Sequence, residues 1–344
     1  MALLHRLRGN RRLCAFLLLF CVALCLKVAA REKSPRVHLS PLLEKGETFR
    51  YRIDTQTSVR GSTTSPIMNP EGAKKEDRAT SLEVTLEILS PAPSGTRVRV
   101  TYDLADASSS SDAYDPATVA FENLYDKLQG RSMEFTMSPN GAVSSISGLE
   151  DIFSNPPVAD SAKAWLSGFG HAAGLPEKGI AIGQKWTREV PAQNLPLRGL
   201  VWRIESTYLR DETCASQAPP DTQRLADSAS STASGSAPAP QAIKPQLCAV
   251  ILTESNLIRR GSHSDTTPDD YLRNGLRTSG SWTGTAESLA SISLSTGWIV
   301  SSTETVNEQM DYEVKSIQSG SSLHHTGAVK TQTHISMLPP ASLR

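Results

Sequence analysis

Alternation of apolar and polar residues recurs along most of the chain, and no other feature of the sequence limits its fold as strongly. Phe49, Tyr51 and Ile53 alternate with Arg50, Arg52 and Asp54. Leu82, Val84, Leu86 and Ile88 alternate with Glu83, Thr85 and Glu87. Val98, Val100, Tyr102 and Leu104 repeat the pattern, as do Met133, Phe135 and Met137, then Leu200, Trp202 and Ile204, and finally Met310, Tyr312 and Val314. Side chains two apart on a strand share a face, so each run puts one face on a core and one in water. Parallel strands buried on both faces read as unbroken apolar runs instead. The expected fold is therefore mainly β, a curved antiparallel meander sheet, half-barrel-like, with two or three short helices packed on one side. Turn chemistry supplies the connections: Pro93-Ser94-Gly95, Pro139-Asn140-Gly141 and Ser295-Thr296-Gly297 each separate two alternating runs.

The pattern breaks in a few places. Residues 116–128 and 160–173 have helical spacing, the first with Asp115 as N-cap before Pro116, and a shorter turn is expected at 149–153. Residues 61–78, broken by Pro66 and Pro70, and residues 108–112, which contain four consecutive serines, read as flexible loops. Residues 215–245 are rich in Ser, Ala and Pro and hold too little apolar surface to offset chain entropy. That tract lies between two strand-like runs, so it reads as a disordered insertion at a hairpin tip, with Cys214 and Cys248 at its base.

The first 30 residues read as a signal peptide. Arg6, Arg8, Arg11 and Arg12 precede the apolar run Leu13–Leu26, and Val28 and Ala30 suit cleavage after Ala30. The apolar run is shorter than the roughly 20 residues of a membrane span, although a retained anchor and a lipid attached to Cys25 are alternatives. Residues 31–344 are then a single β domain without a transmembrane span, exported to the periplasm or the extracellular space. Five of the 35 Lys and Arg lie in the leader and no Asp or Glu does, leaving 30 cations against 35 anions. A mildly acidic, evenly mixed surface argues against a nucleic-acid partner, which would favour a basic stripe. Cys214 and Cys248 are the two cysteines left after cleavage, and an oxidising compartment favours a disulfide between them. No Asn-x-Ser/Thr sequon occurs, which favours a bacterial source.

Catalytic and cofactor fingerprints are missing: there is no nucleophile elbow, P-loop, dinucleotide motif or His-Glu-x-x-His. No catalytic residue, metal ligand or cofactor is assigned. His324-His325 would point to opposite faces of a strand, His263-Ser264-Asp265 reads as a polar turn, and Asp269-Asp270 reads as first-turn helix charge. The aromatic set is more informative. Trp186, Trp202, Trp282 and Trp298 come from separated segments, and on one curved face they would line a concave apolar cavity. The alternative is that they fill an ordinary core.

Gly46-Glu47-Thr48-Phe49, then Phe135 through Ser138 to Gly141-Ala142-Val143, and Pro176 with Ile182-Gly183-Gln184-Lys185-Trp186 fall in an order that resembles a group of uncharacterised exported bacterial proteins. By analogy these look like the half-barrel of periplasmic lipoprotein-carrier and lipid-binding proteins. The matching motifs span about residues 46–190. The resemblance implies a non-enzymatic binding or carrier module of the cell envelope, with a lipid or amphiphile as ligand. A structural module with a filled core that binds an envelope protein is the second reading, and a hydrolase the third.

Overall fold

The computed structural model describes residues 35–64, 74–112, 121–123, 125–139, 141–148, 174–176, 178–192, 195–214, 246–261 and 266–339. The chain divides into Met1–Arg36, of which only Pro35 and Arg36 are described, and one compact unit, Val37–Arg344. The expected leader, the helix at 160–173, the turn at 149–153, His263-Ser264-Asp265 and the 215–245 insertion lie outside the described residues.

The unit is built on one antiparallel sheet of eleven strands: β1 (Thr48–Thr64), β2 (Lys74–Ala92), β3 (Gly95–Ser111), β4 (Ser132–Met137), β5 (Val143–Ser147), β6 (Lys185–Pro191), β7 (Leu200–Thr213), β8 (Leu247–Arg259), β9 (Leu276–Ser293), β10 (Ile299–Ser316) and β11 (Ser322–Leu338). Their order is β5-β4-β3-β2-β1-β11-β10-β9-β8-β7-β6, so the curved sheet is open, with β5 and β6 at its edges. It consists of two meanders joined where the first strand pairs with the last. Two short helical pieces accompany it among the described residues, one within 121–126 and one at Asp269–Arg273. The second carries Asp269 and Asp270 in its first turn, as expected from the favourable field there.

Two expected loops are strand instead. β1 runs to Thr64 and β2 starts at Lys74, so 61–64 and 74–78 are strand, and the interval between them lies outside the described residues. The four serines 108–111 complete β3, with Ser108↔Ala79 and Ser111↔Glu76 in register. Composition misled here because a strand flanked by a partner satisfies its backbone through the ladder and does not need apolar side chains. Ser109 adds a local tie: its backbone N–H and its Oγ both donate to Glu122 Oε1, at 2.7 and 2.8 Å.

β1, β2, β3, β9, β10 and β11 are each 17–19 residues long, far beyond the usual strand of about 5–6. They outrun the largest core cluster, which lies toward one end of one face. Tyr51, Val84, Leu86, Val98, Val100, Phe135 and Met137 are almost wholly buried there. A second cluster forms around Leu39, Ile180, Tyr208 and Ile251, and a third around Leu197, Leu200 and Leu257. Residues 37–47 link the first two. Val37 pairs with Ile180, Leu39 enters the second cluster, and the Leu42 N–H donates to Thr296 O at 2.7 Å. Beyond the core, hydroxyls pair across β1 and β11, as in Thr55–Thr333 and Thr57–Thr331.

Candidate ligand-binding groove

The four tryptophans occupy three different clusters. Trp298 precedes β10 and is 1% exposed; its Nε1 donates to Leu42 O at 3.0 Å and its ring lies 4.6 Å from Phe49. Trp186 packs beside Leu39 and Tyr208. Trp202 and Trp282 flank Leu257, and Trp282 Nε1 donates to Glu308 Oε1 at 3.2 Å. Register puts Trp186, Trp202 and Trp282 on the same face as the core: Trp202 pairs with Val190 and Leu257, and Leu257 pairs with Gly284. The Trp202 ring lies over Gly284, where a Cβ would come within 2.7 Å of it. Trp282 stacks on Tyr312 and Tyr312 on His325, with centroids 5.7 and 4.7 Å apart. These rings are half-buried, and none of them lines the groove described below.

Cys214 and Cys248 form a disulfide, with Cα atoms 5.0 Å apart, at the base of the 215–245 tract. His324 and His325 lie on β11 and do point to opposite faces. His324 Nε2 meets Asp311 Oδ1 at 2.7 Å in the open, while His325 is half-buried and burial lowers its pKa.

A concavity of about 1240 Å³ lies on the other, polar face of β7–β10. Its position follows from strand parity. β7 contributes Arg203 and Glu205, and β10 contributes Thr303, Thr305, Asn307 and Gln309, all of them alternate residues facing away from the core. Two cross-strand rows form its floor. In one, Glu205 pairs with Glu254, Glu254 with Glu287, and Glu287 with Thr305. In the next, Arg203 pairs with Asn256, Asn256 with Thr285, and Thr285 with Asn307.

Three carboxylates side by side are unfavourable in a sheet, because like charges directly opposite repel. Lys185 relieves one of them: its Nζ lies 2.7 Å from Glu205, and that hydrogen bond lowers the Glu205 pKa and raises that of Lys185. Glu254 and Glu287 have no ion-pair partner among the described residues. Asn256, Thr285, Thr305 and Asn307 make no side-chain hydrogen bond there either. Leu289, 42% exposed, and Ile258 are the groove's outward aliphatic residues. The arrangement offers free donors and acceptors on a shallow floor that holds no aromatic ring. Sequence reasoning missed these residues because it followed the apolar half of each alternation. The available signal was Asn and Glu at outward positions of β8–β10, residue types depleted in strands.

No family model matches the chain, and no curated protein sequence matches it. Among solved structures, a chain from work on lipid–protein interactions in lipovitellin superposes with a TM-score of 0.46 at 11% identity, covering 88% of this chain and 27% of that chain. This chain therefore spans about a quarter of that lipovitellin chain, with its 27% coverage. A likeness of this degree carries no inference about ligand.

Proposed function

We propose that the chain is an exported, non-enzymatic binding module and that its ligand lies in the polar groove of β7–β10. The observation that carries this reading is a set of amides, hydroxyls and carboxylates, aligned by register across four strands, that find no partner within the described fold. Polar groups on a packed surface usually bond one another or water, and a concave row of free ones offers a ligand many contacts at once. A lipid or amphiphile would find outward aliphatic side chains only at Leu289 and Ile258, so the groove favours a ligand polar along most of its length. The tryptophans that a lipid cavity would need are spent on apolar clusters, which also supports a filled core. The exposed His324–Asp311 pair stands outside the groove, and no other feature of it supports hydrolysis.

Native mass spectrometry of protein purified from its source tests the assignment. A non-covalent adduct should be present on the wild type and lost from the double variant Glu254→Arg, Glu287→Arg, which fills the groove. An adduct that persists on a folded double variant would place the ligand elsewhere.

A further inference from the structure

The groove does not stop at β10. Thr305 pairs with Gln332 on β11, Gln332 with Gln56 on β1, Gln56 with Ala79 on β2, and Ala79 with Ser108 on β3. The second row continues in step, from Asn307 to Lys330, then Ser58, Asp77 and Ser110. These residues line a second concavity, of about 380 Å³, on the same face. Directly paired residues of an antiparallel sheet point to the same side, so the two concavities are parts of one path that crosses eight adjacent strands at right angles.

We infer that this path binds a linear, uncharged, hydroxyl-rich polymer, a neutral glycan chain, along its whole length. The inference rests on the binding-module reading and extends it to a ligand class. Length comes first. Seven steps between strands at about 4.8 Å give a path of roughly 34 Å, far longer than a small metabolite. Spacing comes second. The side chains repeat at the strand spacing, close to the advance of one pyranose unit along an extended glycan, whereas an extended peptide repeats at about 3.3 Å.

Chemistry comes third. Asn256, Asn307, Gln332 and Gln56 each offer a donor and an acceptor, the pair that a sugar hydroxyl matches. Charge comes fourth. Glu205 and Asp77 are paired with Lys185 at 2.7 Å and Lys75 at 2.5 Å, and Arg203 and Lys330 stand in the row beside Glu254 and Glu287, which have no ion-pair partner among the described residues, so these cations and anions are equal in number. A balanced path does not select a polyanion. No residue lining either concavity is aromatic, so recognition is by hydrogen bonds spread over many units, each weak.

Affinity electrophoresis of the mature chain through gels containing β-glucan, xylan, galactomannan or dextran tests this. At least one polysaccharide should retard the wild type, and for that polymer calorimetry should show affinity rising with oligomer length to about six or seven units, the path divided by its spacing. The double variant Gln56→Ala, Gln332→Ala should weaken the polymer about tenfold and leave a disaccharide or trisaccharide unaffected. The variant Asn256→Ala, Asn307→Ala should weaken both. No retardation by any of the four, or binding only of a sulfated or uronic-acid polymer, overturns the ligand class. A plateau at three or four units with Gln56 and Gln332 silent overturns the long path, while the β7–β10 site still stands by its own adduct test. The length series uses the wild type, so the test survives if a variant fails to fold.

Discussion

Gly297 is the point at which residues 37–47, a strap across the sheet, meet the β9–β10 turn, and replacing it with Ala separates two costs that are usually confounded. The residue sits at φ +67° in the β9–β10 turn, and a Cβ there would lie 2.5 Å from the Ser40 carbonyl carbon and closer still to its oxygen. Gly320, in the β10–β11 turn, has nearly the same φ, +69°, and nothing within 4 Å of a built Cβ. Gly320→Ala should therefore cost only left-handed strain, about 1–2 kcal/mol, reduced by the stiffer unfolded chain. Gly297→Ala adds a backbone clash that Ser40 and Pro41 relieve only by lifting away. That movement breaks the bond from Leu42 N–H to Thr296 O and the bond from Trp298 Nε1 to Leu42 O. At about 1 kcal/mol each, the total comes to about 3–4 kcal/mol. Urea unfolding followed by tryptophan emission measures both variants, and Trp298, buried against Phe49, should also redden in the native baseline of Gly297→Ala alone. Equal destabilisation by the two variants would refute the strap contact.

Glu304 faces Ser288 and Thr333 on its neighbouring strands, with no cation directly opposite, and desolvation raises its pKa. A carboxyl raised in the folded state penalises folding once it ionises, so Glu304→Gln should stabilise the protein at neutral pH and confer nothing below the ordinary carboxylate range; thermal melts between pH 3 and pH 8, spanning about the reference carboxylate values, would show the gain growing with pH, and a gain that is flat or falls with pH would contradict it. Removing the disulfide by Cys214→Ser, Cys248→Ser opens a loop with a sequence separation of 34 and should cost about 3–4 kcal/mol in the chain-entropy model, read by denaturant unfolding of the oxidised wild type against the variant; a loss below about 1 kcal/mol would mean that the β7–β8 pairing already confines the loop.

Antiparallel strands were legible because alternation acts locally: each of Tyr51, Val84, Val100 and Phe135 declares its face through its own neighbours. The disulfide was legible by elimination, since only Cys214 and Cys248 lie beyond the first 30 residues. The strand order was not. Nothing near Thr48 announces that β1 pairs with β11, because that contact joins the two ends of the unit and is decided by which meander edges remain unpaired. The polar strand ends at 61–64, 74–78 and 108–111 were misjudged for a related reason. Their stability comes from flanking strands, which no window of sequence contains.

The same physics explains why the tryptophans looked like the site and the groove did not. Large apolar residues stand out in a sequence, yet a sheet this long needs them to anchor its face, as Trp298 does for the strap and Trp202 does over Gly284. A polar groove has no such local mark. Glu254 next to Ser255 and Asn256 reads as any wet strand face, and Gln56 and Gln332 are separated by most of the chain. They become one row only through register, and register is fixed by the apolar half of the alternation, since slipping any strand by one residue would turn its buried set to water. The core residues therefore set the spacing of the free amides and hydroxyls on the opposite face. A substitution that shifts β11 against β1, such as a bulge inserted near Ile335, would break the row at Gln332 without touching a groove residue.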